Sequence, residues 1–399
     1  MKYKKTNIKI KRRKINLYNK KKSKSRQAIS WIITIVAACV LGVVGYGIGK
    51  PIVNYFQNRE QYTSDSGDSW NSSDSDSSGE STSSDDTSGT SEPVESEPST
   101  PLSTDPRMYV LPEDAAANSA SLSSALAAAK DSGCGIIVVT LKDENGNLYY
   151  KSSIERVKDT ELIQGALTAS QICDQITKAG LTPAAKISTL KDSTAPKIAG
   201  GGYMIVSGGA WLDDYADKGG KRWLSPFDQK TLDYIGGIAE ELSSAGFRHI
   251  ICTNTMYPAF HGIDIKEYLS DLPLSDSSKR TEALWNVVDA AKKGAEKNGA
   301  QLWLELDGTS FVKEKKSGTA SELAANADKL KTVGIIADYS PGGKVDDAYN
   351  NAKDFASKAK TSANGAKLAV LIKGGLSGSA LSDTERAFKE ASLEIFSGK

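Results

Sequence analysis

Histidine is nearly missing from this chain: His249 and His261 are the only two among 399 residues. Neither sits in an HxxxH or HExxH spacing, which excludes the usual zinc-hydrolase signatures and leaves few partners for a cysteine nucleophile. Cysteine is scarce as well, with four residues, too few and too scattered for a disulfide framework. Cys39 falls in an apolar run, Cys134 and Cys252 lie beside or inside apolar strands, and Cys173 lies in a helix-like segment. The three beyond the apolar run are expected to be buried free thiols. No glycine fingerprint for a nucleotide follows any early strand, and no calcium-loop pattern occurs. No metal, cofactor or nucleic acid is therefore expected.

Net charge is also nearly absent, at +1, but the balance conceals a steep division along the chain. The first 26 residues hold thirteen Lys and Arg and no acid. Residues 27–49 then carry no charge at all, long enough for a helix to span a bilayer, since about 20 apolar residues at 1.5 Å each cross the hydrocarbon core. The basic flank stays cytoplasmic by the positive-inside bias, so the chain beyond residue 49 is expected outside the cell membrane. A cleaved signal peptide is the rival, but such apolar regions run only ~7–15 residues. Residues 50–106 are rich in Ser, Asp, Glu, Thr and Pro, a composition that buries too little apolar surface to offset chain entropy. They are expected to form a disordered linker that carries the domain of residues 107–399 away from the membrane.

Within that domain, short β-branched runs alternate with Ala-, Lys- and Glu-rich helical stretches. The runs are Met108–Leu111, Gly135–Leu141, Ala184–Leu190, His249–Thr253, Gln301–Leu306, Gly334–Asp338 and Leu368–Ile372. This rhythm calls for parallel strands with helical crossovers, an α/β fold of the (β/α) TIM-barrel type. Only seven strands are visible, and Ser382–Phe396 reads as a helix before the chain stops, so the barrel is expected to be incomplete or irregular. Tyr203–Val206 reads as a short strand on an insertion that offers a possible eighth. A doubly wound open sheet is the alternative.

Active sites of such barrels lie where strands end, which draws attention to Glu305, Asp307 and Asp338 as candidate catalytic acids. With Leu302, Leu304 and Leu306 facing the helices, Trp303, Glu305 and Asp307 face the axis and mouth. A carboxylate there needs a cation, and the same alternation makes Lys142 and Lys186 the expected partners. Lys373 also closes a strand, while Asp143 and Asp192 follow Lys in turn-like settings where an Asp caps its own backbone. Trp211, Tyr215, Trp223, Tyr257, Phe260 and Tyr339 occupy loop-like or strand-end positions suited to stacking on sugars, with core packing the default for any one of them and about two of the six expected to face a groove. The expected substrate-binding set is Lys142, Lys186, Trp211, Trp223, Asn254, Tyr257 and Tyr339.

One stretch carries a resemblance. Trp223-Leu224-Ser225-Pro226-Phe227 precedes a helix with Asp233-Tyr234, then Gly246-Phe247, a buried strand and Tyr257-Pro258. The pattern is similar to a bacterial family of membrane-associated or secreted glycoside hydrolase barrels distantly related to the α-amylase group. The resemblance implies a barrel acting on carbohydrate, with an acid and an Arg at the end of this strand and further charged groups on the second and third. Here those positions are Thr253 and Met256, with Thr140 and Lys186 on the earlier strands. Three readings are open: a degenerate barrel that binds envelope glycan without cleaving it, an active carbohydrate hydrolase using Glu305, Asp307 or Asp338, and a non-catalytic envelope scaffold for a protein partner.

Overall fold

Eight parallel strands close on themselves in the computed structural model, which describes residues 107–312, 319–341, 347–374 and 376–398. The basic tail, the uncharged segment and the acidic linker fall outside the described residues. No described helix is long and apolar enough to cross a membrane.

The strands are β1 (Met108–Val110), β2 (Ile136–Lys142), β3 (Thr182–Ser188), β4 (His249–Thr253), β5 (Gln301–Leu306), β6 (Gly334–Tyr339), β7 (Lys367–Ile372) and β8 (Glu394–Gly398). Six principal helices separate them: α1 (Ser119–Lys130), α2 (Ala169–Lys178), α3 (Gln229–Ser244), α4 (Ser277–Glu296), α5 (Ala348–Ala363) and α6 (Gly378–Glu390). Between β5 and β6 the described helices are short pieces, Gly308–Phe311, Thr319–Ala324 and Ala327–Leu330. Side-chain caps start several helices: Asn118 for α1, a Thr168–Gln171 capping box for α2, Asp228 for α3 and Asp276 for α4.

The alternation read from β5 holds. Leu302, Leu304 and Leu306 enter the layer between sheet and helices, while Trp303 points inward. It joins Met108, Ile136, Val138, Ala184, Ile251, Ile336, Ala369, Leu371 and Phe396, so every strand contributes to one apolar plug. Burying each large side chain there stabilises the fold by about 1.5–3 kcal/mol. Room for the Trp303 indole comes from Gly334 on β6, where an added Cβ would lie 2.3 Å from the ring.

Three expectations need correction. The barrel is complete: α6 ends at Glu390, Ser392 turns the chain with a positive φ of 53°, and β8 pairs with both β7 and β1. That closure excludes the open sheet. Tyr203–Val206 contributes no barrel strand; Gly202 and Met204 make only isolated antiparallel bridges, to Leu224 and Ala210. Lys142 does not face the axis, because β2 carries an extra residue between Thr140, which pairs with Lys186, and Lys142, which pairs with Ile187. The bulge reverses the alternation and turns Lys142 to the helix side with Ile187. There it meets Asp192 Oδ2 at 2.7 Å and donates to the Ser188 carbonyl at 2.7 Å, with both charged side chains fully buried.

Candidate functional site

One layer beyond the apolar plug, β5, β6 and β7 place three charged side chains together. Glu305 follows Trp303, Asp338 follows Ile336, and Lys373 follows Leu371 along the inward-facing positions. The backbone ladder continues to that level, with Lys373 N donating to the Tyr339 carbonyl at 2.9 Å. Lys373 Nζ lies 2.7 Å from Glu305 Oε1 and 2.6 Å from Asp338 Oδ2. The two carboxyl oxygens are therefore at most 5.3 Å apart, the two contacts laid end to end. Gly308 fixes one side of this arrangement, since a Cβ there would fall 1.9 Å from the Asp338 carbonyl oxygen.

Asp338 is pushed up to about 7 by burial first and by the Glu305 charge second, against the opposing pull of Lys373. Its Oδ1 is buried and lacks a hydrogen-bond partner among the described residues. Below about pH 7 Asp338 thus keeps its proton. Lys373 is held above its ordinary value: partial burial opposes its charge, but the two carboxylates outweigh that.

Asp307 is committed elsewhere, accepting from Ser310 N at 2.6 Å as the cap of the short Gly308–Phe311 helix. Lys186 is half-buried on an inward position, yet no carboxylate lies within ion-pair distance of it among the described residues. Lys373, a strand-end residue not expected to be the partner, is the cation that Glu305 meets. Toward β2–β4 the mouth presents Thr140 and Thr253 beside Lys186, with no inward acid.

Of the other aromatic candidates Tyr215 is exposed, while Trp211, Trp223, Tyr257 and Tyr339 are buried. Trp211 is buried against Tyr203 and Phe260, and Trp223 is buried with Nε1 donating to Asp213 Oδ2 at 2.8 Å. Tyr257 is buried, donates to the Arg280 carbonyl at 2.9 Å and lies under its guanidinium. Tyr339 packs outward on Phe355 and Phe388, and Asn254, with a φ of 52°, donates to Ser188 Oγ at 3.0 Å. Asp143 and Asp192 serve as turn caps as expected, Asp143 accepting from Asn145 N and Asn147 N, Asp192 from Thr194 N and Ala195 N. Cys134, Cys173 and Cys252 are buried free thiols. No group of three His, Cys, Asp or Glu side chains among the described residues is placed to hold a metal ion.

Residues 108–336 match the family described as "Putative glycosyl hydrolase domain". The match takes in Glu305 and stops two residues before Asp338. No curated protein matches the chain. Among solved structures, the PgaB (BpsB) glycoside hydrolase domain from Bordetella bronchiseptica is 10% identical, covering 73% of this chain and 93% of its own, with a TM-score of 0.47. The catalytic domain of beta-amylase from Paenibacillus polymyxa is 13% identical over 74% of this chain and 92% of its own, with a TM-score of 0.45. A hypothetical protein from Ruminiclostridium thermocellum ATCC 27405 is 18% identical over 49% of this chain and 96% of its own, at 0.39.

Proposed function

Because the chain belongs to this glycosyl hydrolase-domain family, we propose that its barrel binds carbohydrate at the β5–β7 mouth without cleaving it. The observation that carries the reading is the Lys373 bridge. Retaining glycoside hydrolysis needs two carboxyl groups about 5–5.5 Å apart, flanking the sugar bond to be broken. Glu305 and Asp338 come that close, but the ammonium of Lys373 fills the gap and neutralises the carboxylate that would act as nucleophile. A pair held this way retains hydrogen-bonding groups for sugar hydroxyls while both carboxyl groups are engaged by the ammonium.

Hydrolysis is the second reading, favoured by the proton that Asp338 keeps up to about pH 7. In it Lys373 swings out, Asp338 protonates the leaving oxygen and Glu305 attacks. A glycan array probed with the full chain in detergent, with products followed by chromatography, separates the two. Binding without products is expected. Products that disappear in Glu305→Gln overturn the binding-only reading.

The setting proposed for this barrel is the outer side of a cell membrane, anchored by residues 27–49. Support comes from the uncharged length of that segment and the thirteen basic residues before it. Protease added to intact cells should release the barrel; a barrel degraded only after lysis rules this topology out.

A further inference from the structure

Six large apolar side chains stand exposed among the described residues, and all six lie on two loops: Met204, Val206 and Tyr215 after β3, and Met256, Ile263 and Tyr268 after β4. Apolar residues exposed singly are ordinary, whereas Tyr215, Ile263 and Tyr268 line one cleft, and a gathering of that kind marks a contact surface. The loops are joined to each other, with Val206 N donating to the Tyr268 carbonyl at 2.9 Å. Tyr203, Trp211 and Phe260 form a shared small core, their ring centroids 5.1–5.7 Å apart. The lobe is therefore a preformed surface.

A cleft of about 470 Å³ lies in it, lined by Trp211, Asp214, Tyr215, His261, Ile263 and Tyr268 among others. That volume is in the range of roughly 300–1,000 Å³ found for small-molecule sites, and the mixture of apolar walls with few polar groups is also theirs. Tyr215 is 70% exposed, with Lys218 Nζ 5.0 Å from its ring centroid. Two lining carboxylates are spent on the lobe itself. Asp213 accepts from Lys221 N and Trp223 Nε1, and Asp264 accepts from His261 N. Asp214 uses Oδ1 on Tyr215 N at 2.7 Å, which leaves Oδ2 and the His261 imidazole without a protein partner among the described residues.

We propose that this cleft, which none of Glu305, Asp338 or Lys373 lines, is a second carbohydrate subsite and that it takes an uncharged oligosaccharide. The inference rests on the carbohydrate-binding reading above. A pyranose presents an apolar face to an exposed tyrosine ring and hydroxyls to the free oxygen of Asp214. Asp213, Asp214 and Asp264 outnumber the one cation at the Tyr215 ring, Lys218, so a neutral glycan is favoured over one carrying uronate, sulfate or phosphate.

The test uses the full chain in detergent on neutral and uronate-bearing oligosaccharides. Calorimetric titration of each hit then compares wild type with Tyr215→Ala, Tyr268→Ala and Glu305→Gln. Neutral glycans should bind, and each tyrosine variant should weaken them roughly tenfold with an unchanged unfolding midpoint, as both rings are at the surface. Tyrosine variants that bind like wild type while Glu305→Gln loses affinity overturn the subsite and leave the β5–β7 reading standing. A wild-type chain that binds no glycan removes both. Preference for uronate glycans, or displacement of the neutral glycan by an apolar peptide at lower concentration, refutes the ligand class.

Discussion

Asp338→Asn isolates the least ordinary feature of the mouth. In the folded chain this carboxyl titrates at about 7 instead of 3.8, so the native state holds a proton that the unfolded state releases. The resulting stability is fully present below about pH 4 and is lost as the pH rises through 7. A shift of about 3 units corresponds to a ceiling of about 4 kcal/mol. Side-chain exposures of 17% for Asp338 and 43% for Lys373 let solvent screen part of it, leaving about 2–3 kcal/mol. Asparagine keeps the shape and cannot ionise, so subtracting its stability from that of wild type cancels the other titrating groups. Urea unfolding followed by tryptophan fluorescence from pH 4 to 8 should show the variant gaining on wild type by that amount. A difference flat within about 0.5 kcal/mol would mean that Lys373 holds Asp338 ionised throughout, and the account of a protonated Asp338 would fail.

Two further outcomes test the frame around the site. Lys142→Met should destabilise by about 3–5 kcal/mol, because it strands the buried Asp192 carboxylate, and adding Asp192→Leu should recover most of that. A single-variant loss below about 1 kcal/mol in urea unfolding would show that water reaches the pair. Deleting residues 394–399 removes β8, the strand that joins β7 to β1, and should replace one cooperative thermal transition by a broad one. Retained cooperativity would contradict the closed ring as the folding unit.

Seven strands were legible because their β-branched runs are long enough to stand out between helical stretches. β8 was not: it has two apolar residues, Ile395 for the helix layer and Phe396 for the plug, directly after an amphipathic helix. The inward placement of Glu305 followed from period-two alternation. The same rule failed for Lys142, since one inserted residue between Thr140 and Lys142 reverses every direction beyond it. Lys373 was visible as a strand end, but its pairing with Glu305 depends on β6 sitting between β5 and β7, which no local pattern encodes. Which loop aromatics are buried was not legible for a related reason. An insertion as long as the one after β3 builds its own small core, so Trp211 and Trp223 are buried in a segment that reads locally as surface.

The pattern that carries the family likeness runs through α3 and β4, and yet the ion-paired inward charges of the mouth lie on β5, β6 and β7. A barrel tolerates such a shift because every strand ends at the same mouth; what matters is which side chains meet there. In this mouth Lys373 is the outermost member, 43% exposed against 11% for Glu305 and 17% for Asp338. A ligand therefore encounters the ammonium before either acid, and reaching the acids means breaking its contacts. Breaking them leaves two carboxyl groups close together, which is tolerable only while Asp338 keeps its proton. Displacement of Lys373 and protonation of Asp338 are thus coupled, so any access to the acid pair is easier below pH 7 than above it.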